Sequence, residues 1–437
     1  MKSNPTKRRS KKRTMAQNAL VEMEEGSVLR TNSKCRACES KQLHQVLDLG
    51  KMPLANSFLS TWDLEKPEPS FPLDVYSCED CGLLQLVHVV SPEVLFRDYI
   101  YVSTTSETLQ KHFANLAREI KERYRLGPSS LVVEVASNDG LLLKKFRDIG
   151  VHGIGVEPAV NIAAMARRDG LEVVNEFFNQ ETAKKVLKEF GPADVLLGNN
   201  VLAHVNDLAD FLGGVELILR PSGGVSFEVP YVRDLIEHKE YDTIYHEHLS
   251  YFSVKVLEKL FQRFGLSVYD VERVPIHGGS LRVHARKGGD GQRTLRLDQI
   301  LKEEEALGLN TLSFQKSFAE EVSRTRKAIL SLLKKLKQEG KRVVGYGAPA
   351  KGNTQLNYCG IGTNLLEYTV DKSSLKQGKF TPGMRLPVFP VEKLLEDQPD
   401  YVFIIAWNFA DEIMRQQALY RERGGKFIVP IPEPIIV

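Results

Sequence analysis

Long apolar runs are absent from this 437-residue sequence. No stretch reaches the roughly 20 consecutive apolar residues that a membrane-spanning helix needs, and no apolar segment follows the basic start. We therefore expect neither a membrane protein nor a secretory signal. Hydrophobic residues make up 42% and charged residues 26%, which excludes disordered, collagen-like and fibrous proteins. A soluble, cytoplasmic protein of about two to four domains is expected.

A strong excess of one charge is also missing, since the 59 Lys and Arg residues are nearly balanced by 56 Asp and Glu residues. The small positive excess comes from residues 1–14, which hold seven basic residues and no acidic one. This run could be an arm for nucleic acid or an anionic membrane. The alternative, which we favour, is a solvated, disordered basic extension over residues 1–33. Because the rest of the chain is slightly acidic, neither nucleic acid nor a membrane is expected as a partner.

Cysteines are few, but four of the five form two C-x-x-C pairs, Cys35 with Cys38 and Cys78 with Cys81. Two such turns can supply the four thiolates of a tetrahedral zinc site. The usual spacing between the pairs is about 15–20 residues, so the longer spacing here predicts an inserted segment. Two disulfides or four inert thiols are the alternatives, and disulfides are disfavoured without a secretory signal. We predict a structural zinc, with Cys359 left as a small buried hydrophobe.

Strand and helix patterns alternate from residue 131 onwards. Alternation of this kind predicts an α/β fold with doubly wound parallel sheets, whose ligands bind at the carboxyl ends of the strands. Helical spacing of apolar residues predicts two further helices, over 104–125 and 311–338. The predicted strands of a first unit are 131–137, 151–158, 171–178, 193–205 and 223–230. A second unit begins at RVVGYGAPAKGN (342–353), and its predicted strands are 367–371, 401–407 and 426–431.

The dinucleotide fingerprint G-x-G-x-x-G is missing after the first predicted strand. That strand ends instead in polar residues with one glycine, and Glu157 ends the second strand, where Rossmann-like folds bind a ribose diol. Such residues suit an amino acid and an adenosine better than a diphosphate, which points to S-adenosylmethionine. Asn199 and Asn200, after the fourth strand, would face its methionine end. The other predicted cofactor residues are Glu134, Ser137, Asn138, Asp139 and Gly140.

Residues 241–253 concentrate two histidines, one glutamate and three tyrosines. His246 and His248 could hold a second metal, although H-E-x-x-H and an obvious third ligand are missing. The segment could also be solvated polar surface. We favour acid–base chemistry by a histidine whose protonation is tuned by the adjacent carboxylate.

The motifs together resemble those of a known family, the sugar C-methyltransferases. The resemblance runs from residue 34 to the C-terminus, and its most specific parts are YDTIYHEHLSYFS and YGAPAKGN. Members methylate C3 of nucleotide-linked deoxy-4-keto sugars. The strings that carry it, besides the cysteine pairs, are EVASNDG, GIGVEPA, NNVLAHVND, YDTIYHEHLSYFS, HGGSLRV and GYGAPAKGNT.

The resemblance implies a small zinc-binding domain over 34–95 and a central Rossmann-like class I methyltransferase domain over 96–285. A linker with a long helix over 286–340 and a C-terminal Rossmann-like, nucleotide-sugar-binding domain over 341–437 would follow. The cofactors would be S-adenosylmethionine and structural zinc, and the substrate a nucleotide-linked keto-sugar. We expect a monomer or a weak homodimer.

The resemblance also implies residue roles. His248 would be the general base and Glu247 its partner, with Tyr245 beside them and His204 and Tyr99 near the sugar. A hydrogen bond between Glu247 and His248 requires a loop, because adjacent side chains on a regular strand point to opposite faces. The predicted substrate contacts are Tyr101, Ser280, Arg282, Lys351, Asn353 and Asp371.

Two glycine-containing segments have two interpretations each. HGGSLRV (277–283) could be a tight hairpin turn, or it could bind phosphate or sugar through backbone N–H groups and Arg282. GYGAPAKGN (345–353) could likewise be a structural turn or a phosphate loop.

Three other functions compete with sugar C-methylation. A nicotinamide-dependent oxidoreductase or epimerase of a nucleotide sugar is disfavoured because G-x-G-x-x-G and Tyr-x-x-x-Lys are missing. A zinc-dependent nucleic-acid-binding protein would need basic clusters in the folded part. An O- or N-methyltransferase would use the same cofactor fold without a base for carbon.

Overall fold

The computed structural model describes residues 28–99, 102–105, 107–276, 278–289 and 292–437. Tyr101 and residues 1–27 of the predicted basic extension lie outside these residues. Among the residues described, no helix combines the length and apolar character that a membrane crossing would require.

Residues 28–99, here called the N-terminal module, form short antiparallel strands. The third of them alternates buried and half-buried side chains, as a strand with one covered face does. Its elements are β1 (Leu29–Thr31), β2 (Leu43–Met52), β3 (Phe71–Cys78), β4 (Leu84–Leu86), β5 (His88–Val90) and α1 (Pro92–Phe96).

The middle of the chain begins with the predicted helix and then builds a parallel sheet. All residues of its first strand are buried, as expected for a sheet covered on both faces. In chain order its elements are α2 (Glu107–Tyr124), β6 (Leu131–Val135), α3 (Leu141–Asp148), β7 (His152–Val156), α4 (Val160–Arg168), β8 (Glu172–Val174), α5 (Gln180–Phe190), β9 (Ala193–Asn199), α6 (Leu208–Ile218), β10 (Leu219–Pro230), α7 (Val232–Glu237), β11 (Ser250–Tyr251), α8 (Val254–Gln262), β12 (Leu266–Val274) and β13 (Ser280–Lys287).

The central sheet has seven strands in the order β12-β13-β10-β9-β6-β7-β8. Strands β6 to β10 are parallel, as predicted, whereas β13 is antiparallel to both β10 and β12. Gly278 and Gly279 lie between β12 and β13 with φ of 98° and 129°, a region open to glycine but costly for other residues. Their position fits the hairpin interpretation of HGGSLRV.

A second α/β unit follows two helices. The longer of these, predicted over 311–338, buries Phe318, Val322, Ile329 and Leu333 along one stripe and contacts β2 of the N-terminal module. The elements are α9 (Leu295–Leu307), α10 (Leu312–Gln338), β14 (Val343–Tyr346), α11 (Ala350–Cys359), β15 (Thr369–Val370), β16 (Val388–Phe389), α12 (Lys393–Asp397), β17 (Tyr401–Ile404), α13 (Ala410–Gln416), α14 (Ala418–Glu422), β18 (Lys426–Val429) and β19 (Ile435–Ile436).

The C-terminal sheet has the order β16-β15-β14-β17-β18-β19 and is parallel except for β19. The N-terminal module completes its own sheet differently, because β11 from the middle of the chain pairs with β4 and gives the order β11-β4-β3-β2. The segment that follows the predicted catalytic residues is therefore a strand of the N-terminal sheet.

Candidate active site and zinc centre

The four paired cysteines meet at one point of the N-terminal module. Their sulfur atoms all lie within 4.8 Å of one another. The Sγ atoms of Cys35 and Cys81 are 3.6 Å apart and those of Cys38 and Cys78 are 3.5 Å apart. A tetrahedron of sulfurs around zinc, at about 2.3 Å each, has edges of about 3.8 Å, whereas a disulfide needs about 2.05 Å. The cluster therefore fits zinc and excludes the two disulfides.

A cavity of about 1330 Å³ opens where the three parts of the chain meet. One wall consists of residues at the carboxyl ends of β6, β7 and β9, and the opposite wall consists of residues from α11 and the loop after β15. Side chains of the segment before β11 lie between these walls. The parallel sheets thus place their carboxyl ends at one shared cavity, as the α/β pattern predicts.

The first of these walls, here called the cofactor wall, contains four of the predicted cofactor residues, Asn138, Glu157, Asn199 and Asn200. The Glu157 carboxylate accepts hydrogen bonds from the backbone N–H groups of Asn138 and Ala159, at 2.9 and 2.8 Å, and burial raises its pKa. The buried Nδ2 of Asn199 has no hydrogen-bond acceptor among the described residues. An uncommitted amide donor and a fixed carboxylate fit the amino-acid and ribose ends of S-adenosylmethionine.

Three residues on this wall have a left-handed backbone conformation. Ala136, Asn138 and Asn200 have φ of 54°, 51° and 55°, which side chains other than glycine rarely adopt. Such strain collects at functional sites, because the surrounding structure must hold it in place.

The other four predicted cofactor residues are not among those that line the cavity. Glu134 and Ser137 are buried, and each has a side-chain oxygen without a hydrogen-bond partner among the described residues. Asp139 accepts a hydrogen bond from the backbone N–H of Thr104 at 3.3 Å. Gly140 has φ of 76°, and a Cβ there would lie 2.1 Å from Leu171. These residues shape the turn beneath the cofactor wall.

His248 lines the cavity, and hydrogen bonds on both ring nitrogens fix the orientation of its ring. Its Nδ1–H donates to the Thr243 carbonyl oxygen at 2.8 Å, and the Tyr245 hydroxyl donates to Nε2 at 2.9 Å. Because a carbonyl can only accept, the lone pair of the neutral ring must lie on Nε2. The chain thus holds an imidazole base beside a phenol.

His204 faces His248, with the two ring centroids 4.9 Å apart. Burial lowers the pKa of His204 to about 4, although backbone hydrogen bonds act in the opposite direction. The ring is therefore neutral near pH 7, and it can donate one N–H without carrying charge.

Glu247 and His248 have different partners. The Glu247 carboxylate accepts from Asn56 Nδ2 at 2.7 Å and from the Tyr99 hydroxyl at 3.2 Å. Burial raises its pKa to about 7, and these two hydrogen bonds oppose the rise. The segment between Thr243 and Ser250 is irregular, and of the two residues only His248 is among those that line the cavity.

The raised pKa of Glu247 predicts a pH-dependent stability. Because the folded value exceeds the ordinary 4.5, the stabilisation from this group is complete below about pH 4.5 and is lost as the pH rises through about 7. Relative to a Glu247→Gln variant, the native protein should lose up to about 3 kcal/mol of unfolding free energy between about pH 4.5 and 8. Urea unfolding of both proteins at several pH values measures the difference, and a difference that stays constant would contradict the assignment.

The opposite wall carries cations. Lys351, Lys372 and Lys376 line it together with Asp371. The Asp371 carboxylate is fixed by the backbone N–H groups of Ala348 and Ser373, at 2.7 and 2.8 Å. Lys351, in the first turn of α11, and Lys376, which donates to the Ala348 carbonyl just before it, lie beside the N-terminus of that helix, where unpaired N–H groups favour anions.

The structure gives the remaining predicted substrate residues other partners. Arg282 is 5% exposed and forms ion pairs with Glu119, Glu228 and Glu272, at 2.9, 3.2 and 3.4 Å. Ser280 is fully buried, and its hydroxyl donates to the Ile276 carbonyl. Neither lines the cavity, because β13 lies at the antiparallel side of the central sheet.

Asn353 also lies away from the cavity lining, since its Nδ2 donates to the Ala55 carbonyl at 2.6 Å. It joins α11 to the N-terminal module instead. Tyr101 lies outside the described residues, and its predicted substrate contact stays a prediction.

Two features of the site escaped sequence reasoning. Asn56 comes from the long insertion between the cysteine pairs. Trp407 donates from Nε1 to the buried Asp242 carboxylate at 2.7 Å, and its ring lies 4.0 Å from the Lys351 ammonium. No local pattern marks either residue, because both contacts join segments far apart in the chain.

Comparison with known proteins gives three family matches along the chain. A zinc binding domain model matches residues 35–96, a methyltransferase domain model matches residues 108–271, and a C-methyltransferase C-terminal domain model matches residues 275–432. The chain is 38% identical to C-methyltransferase NovU of Streptomyces niveus, over 94% of this chain and 98% of that protein.

Two solved methyltransferase structures show a partial likeness to this chain. An S-adenosylmethionine-dependent methyltransferase from Clostridium acetobutylicum is 12% identical, covers 41% of this chain and 92% of its own, and has a TM-score of 0.33. Magnesium protoporphyrin IX methyltransferase from Synechocystis is 10% identical over 41% of this chain and 79% of its own, with a TM-score of 0.31.

The family matches cover all three parts that meet at the cavity, and the relative spans nearly the whole chain. The chain therefore belongs to the sugar C-methyltransferases, and it is an S-adenosylmethionine-dependent methyltransferase with a structural zinc at its four paired cysteines.

Proposed function

We propose that this enzyme methylates C3 of a nucleotide-linked 4-keto-deoxysugar, with His248 as the base. The observation that carries the proposal is the His248–His204 ring pair, which lines the same cavity as the predicted cofactor residues and the three lysines. A carbon beside a ketone becomes a nucleophile only when it loses a proton. A neutral imidazole close to a neutral donor suits that chemistry.

His248 removes the proton from C3. The lone pair on Nε2 receives it, and the hydrogen bond from Nδ1–H to the Thr243 carbonyl stabilises the imidazolium that forms. Tyr245 must turn its hydroxyl away from Nε2 when the sugar enters. The Tyr245 and His248 rings are tilted against each other with their centroids 4.1 Å apart, so the phenol would stay beside the reacting carbon.

His204 stabilises the negative charge that develops on the C4 oxygen. Its Nδ1 is buried and has no hydrogen-bond partner among the described residues, and in the tautomer that carries the proton on Nδ1 it would donate to that oxygen. One preorganised donor to such an oxyanion is typically worth about 10²–10³-fold in kcat.

When bound, S-adenosylmethionine supplies an electrophilic methyl group for the carbon nucleophile. Glu157 would hold the ribose hydroxyls, and Asn199 and Asn200 would orient the methionine end. The largely apolar lining from Phe96, Phe177 and Phe178 excludes water from the reacting atoms.

The wall formed by Lys351, Lys372 and Lys376, here called the lysine wall, suits the diphosphate of a nucleotide. Burial lowers the pKa of Lys351, while the nearby Asp242 and Glu240 side chains act in the opposite direction. Trp407 fixes that ammonium against its ring face. Lys376 donates to the Ala348 carbonyl at 2.9 Å, which places a second cation at the start of α11.

A substrate panel tests the proposal. The enzyme is incubated with ¹³C-methyl-labelled S-adenosylmethionine and thymidine- or uridine-diphosphate-linked 4-keto-6-deoxysugars, and the products are analysed by NMR. We expect a carbon–carbon bond to the label at C3 of one of these sugars. Label on oxygen or nitrogen, or no transfer to any keto sugar, would refute the assignment.

Replacement of Glu157 by Gln should weaken cofactor binding. The amide keeps the size of the side chain but removes the charged acceptor for the ribose, and a hydrogen bond to a charged group is worth about 1.5–3 kcal/mol, or roughly 10–100-fold in affinity. Isothermal titration with S-adenosylhomocysteine measures the change. Glu172→Gln, an exposed substitution on the adjacent strand, is the matched control and should bind as the native protein does.

A further inference from the structure

Arg36, the first of the two residues between Cys35 and Cys38, extends its side chain towards the segment that contains His248. Arg36 is 7% exposed, and its Nη1 donates to the Leu249 carbonyl at 3.1 Å. Leu249 directly follows His248. The same guanidinium donates from Nε to Asn206 Oδ1 at 3.3 Å, and Asn206 lines the cavity.

Leu249 connects both catalytic histidines to the N-terminal module. Its carbonyl also accepts from the Leu86 backbone N–H at 3.0 Å, while its own N–H donates to the Ala203 carbonyl at 2.7 Å. Ala203 directly precedes His204. The backbone of one residue, Leu249, thus joins the His248 segment to the His204 turn through its N–H, and Arg36 holds the carbonyl of the same residue from the zinc side.

Neighbouring residues of the segment are held by the same module. His246 Nε2 lies 3.2 Å from the Phe71 carbonyl, and Glu247 accepts from Asn56. Among these contacts only that of Arg36 starts within the C-x-x-C turn itself. Zinc fixes the backbone of that turn by binding the residues on either side, and so fixes the origin of the Arg36 side chain.

We propose that Arg36 is a positioning residue, which sets the His248 segment against the His204 turn and so links the zinc centre to proton removal from the sugar. The inference rests on the proposed role of His248. It gives the zinc centre a second task beyond stability, because a guanidinium with several fixed donors can hold Leu249 and Asn206 at once, whereas a lysine at the same position cannot.

The test separates proton removal from methyl transfer. Exchange of the C3 hydrogen of a thymidine-diphosphate-linked 4-keto-6-deoxysugar with D₂O is followed by NMR in the absence of S-adenosylmethionine. Arg36→Met should lower the exchange rate and kcat by about 10–100-fold, the usual effect of residues that orient catalytic groups at metal sites. Zinc content and S-adenosylhomocysteine affinity should stay unchanged. Arg36→Lys should recover part of the rate.

Lys34→Met provides the matched control, because Lys34 flanks Cys35 on the other side and its side chain is exposed. This variant should exchange and turn over at the native rate. Native rates in Arg36→Met would overturn the proposal, and so would loss of zinc in Arg36→Lys, since Arg36 would then serve the metal site. If the native enzyme itself does not exchange C3–H, the proposed function is wrong. If the native enzyme exchanges C3–H and Arg36→Met does so equally fast, only the role of Arg36 is wrong.

Discussion

The substitution His248→Asn should lower kcat by about 10²–10⁴-fold, the usual contribution of a general base. Asparagine can still donate to the Thr243 carbonyl, so the segment should keep its conformation, but it offers no basic nitrogen at the position of Nε2. S-adenosylhomocysteine should bind as tightly as before, because the cofactor wall is unchanged. Steady-state kinetics with a keto sugar that the native enzyme accepts, together with isothermal titration, measure both quantities.

His152→Asn is the control for that experiment, since His152 lies at the start of β7, at the opposite end of the sheet from the cavity, with its side chain 48% exposed. It should leave kcat unchanged. Full turnover by His248→Asn would remove the base assignment. A bell-shaped pH profile that loses its acidic limb in the variant would give further support.

Loss of the zinc should abolish both the folding of the N-terminal module and turnover. Cys78→Ser replaces a fully buried thiolate by a poorer ligand, and structural zinc sites are worth on the order of 10 kcal/mol in small domains. Without the metal, β2 and β3 lose the connection to the first cysteine pair. We expect loss of zinc, a lower melting temperature and no detectable methylation.

Cys359→Ser is the matched substitution for this prediction. Cys359 is also buried, but it lies at the end of α11, and its Sγ is 3.4 Å from the Tyr241 hydroxyl. Zinc content, measured by atomic emission, should stay at the native value in this variant. A zinc-free Cys78→Ser protein with native activity would show that the metal is dispensable.

Local patterns were sufficient for the cysteine quartet and for the residues at the strand ends. Two C-x-x-C turns specify a ligand set without knowledge of the fold, and parallel strands bring Asn138, Glu157 and Asn199 to one edge whatever the details of packing. The long helix was predicted equally well, since its apolar stripe alone requires burial.

Contacts between distant segments could not be predicted in this way. Asn56 reaches Glu247 only because the insertion between the cysteine pairs folds over the catalytic segment. Arg282 has the residue type of a phosphate ligand, yet β13 turns it towards Glu228 on the neighbouring strand. The sequence contains both residue types but not the direction in which each side chain points.

β11 pairs with β4 but is translated much later, and this separation in the chain affects folding on the ribosome. Arg36 and Leu249 are 213 positions apart, so at about 5–20 residues per second the partner strand of β4 emerges on the order of 10–40 s after the first cysteine pair. During that interval β4 is an open edge, which invites wrong strand pairing. Zinc needs only residues 35–81 and can bind before then. The metal can therefore hold the two cysteine pairs together while the sheet still waits for its last strand.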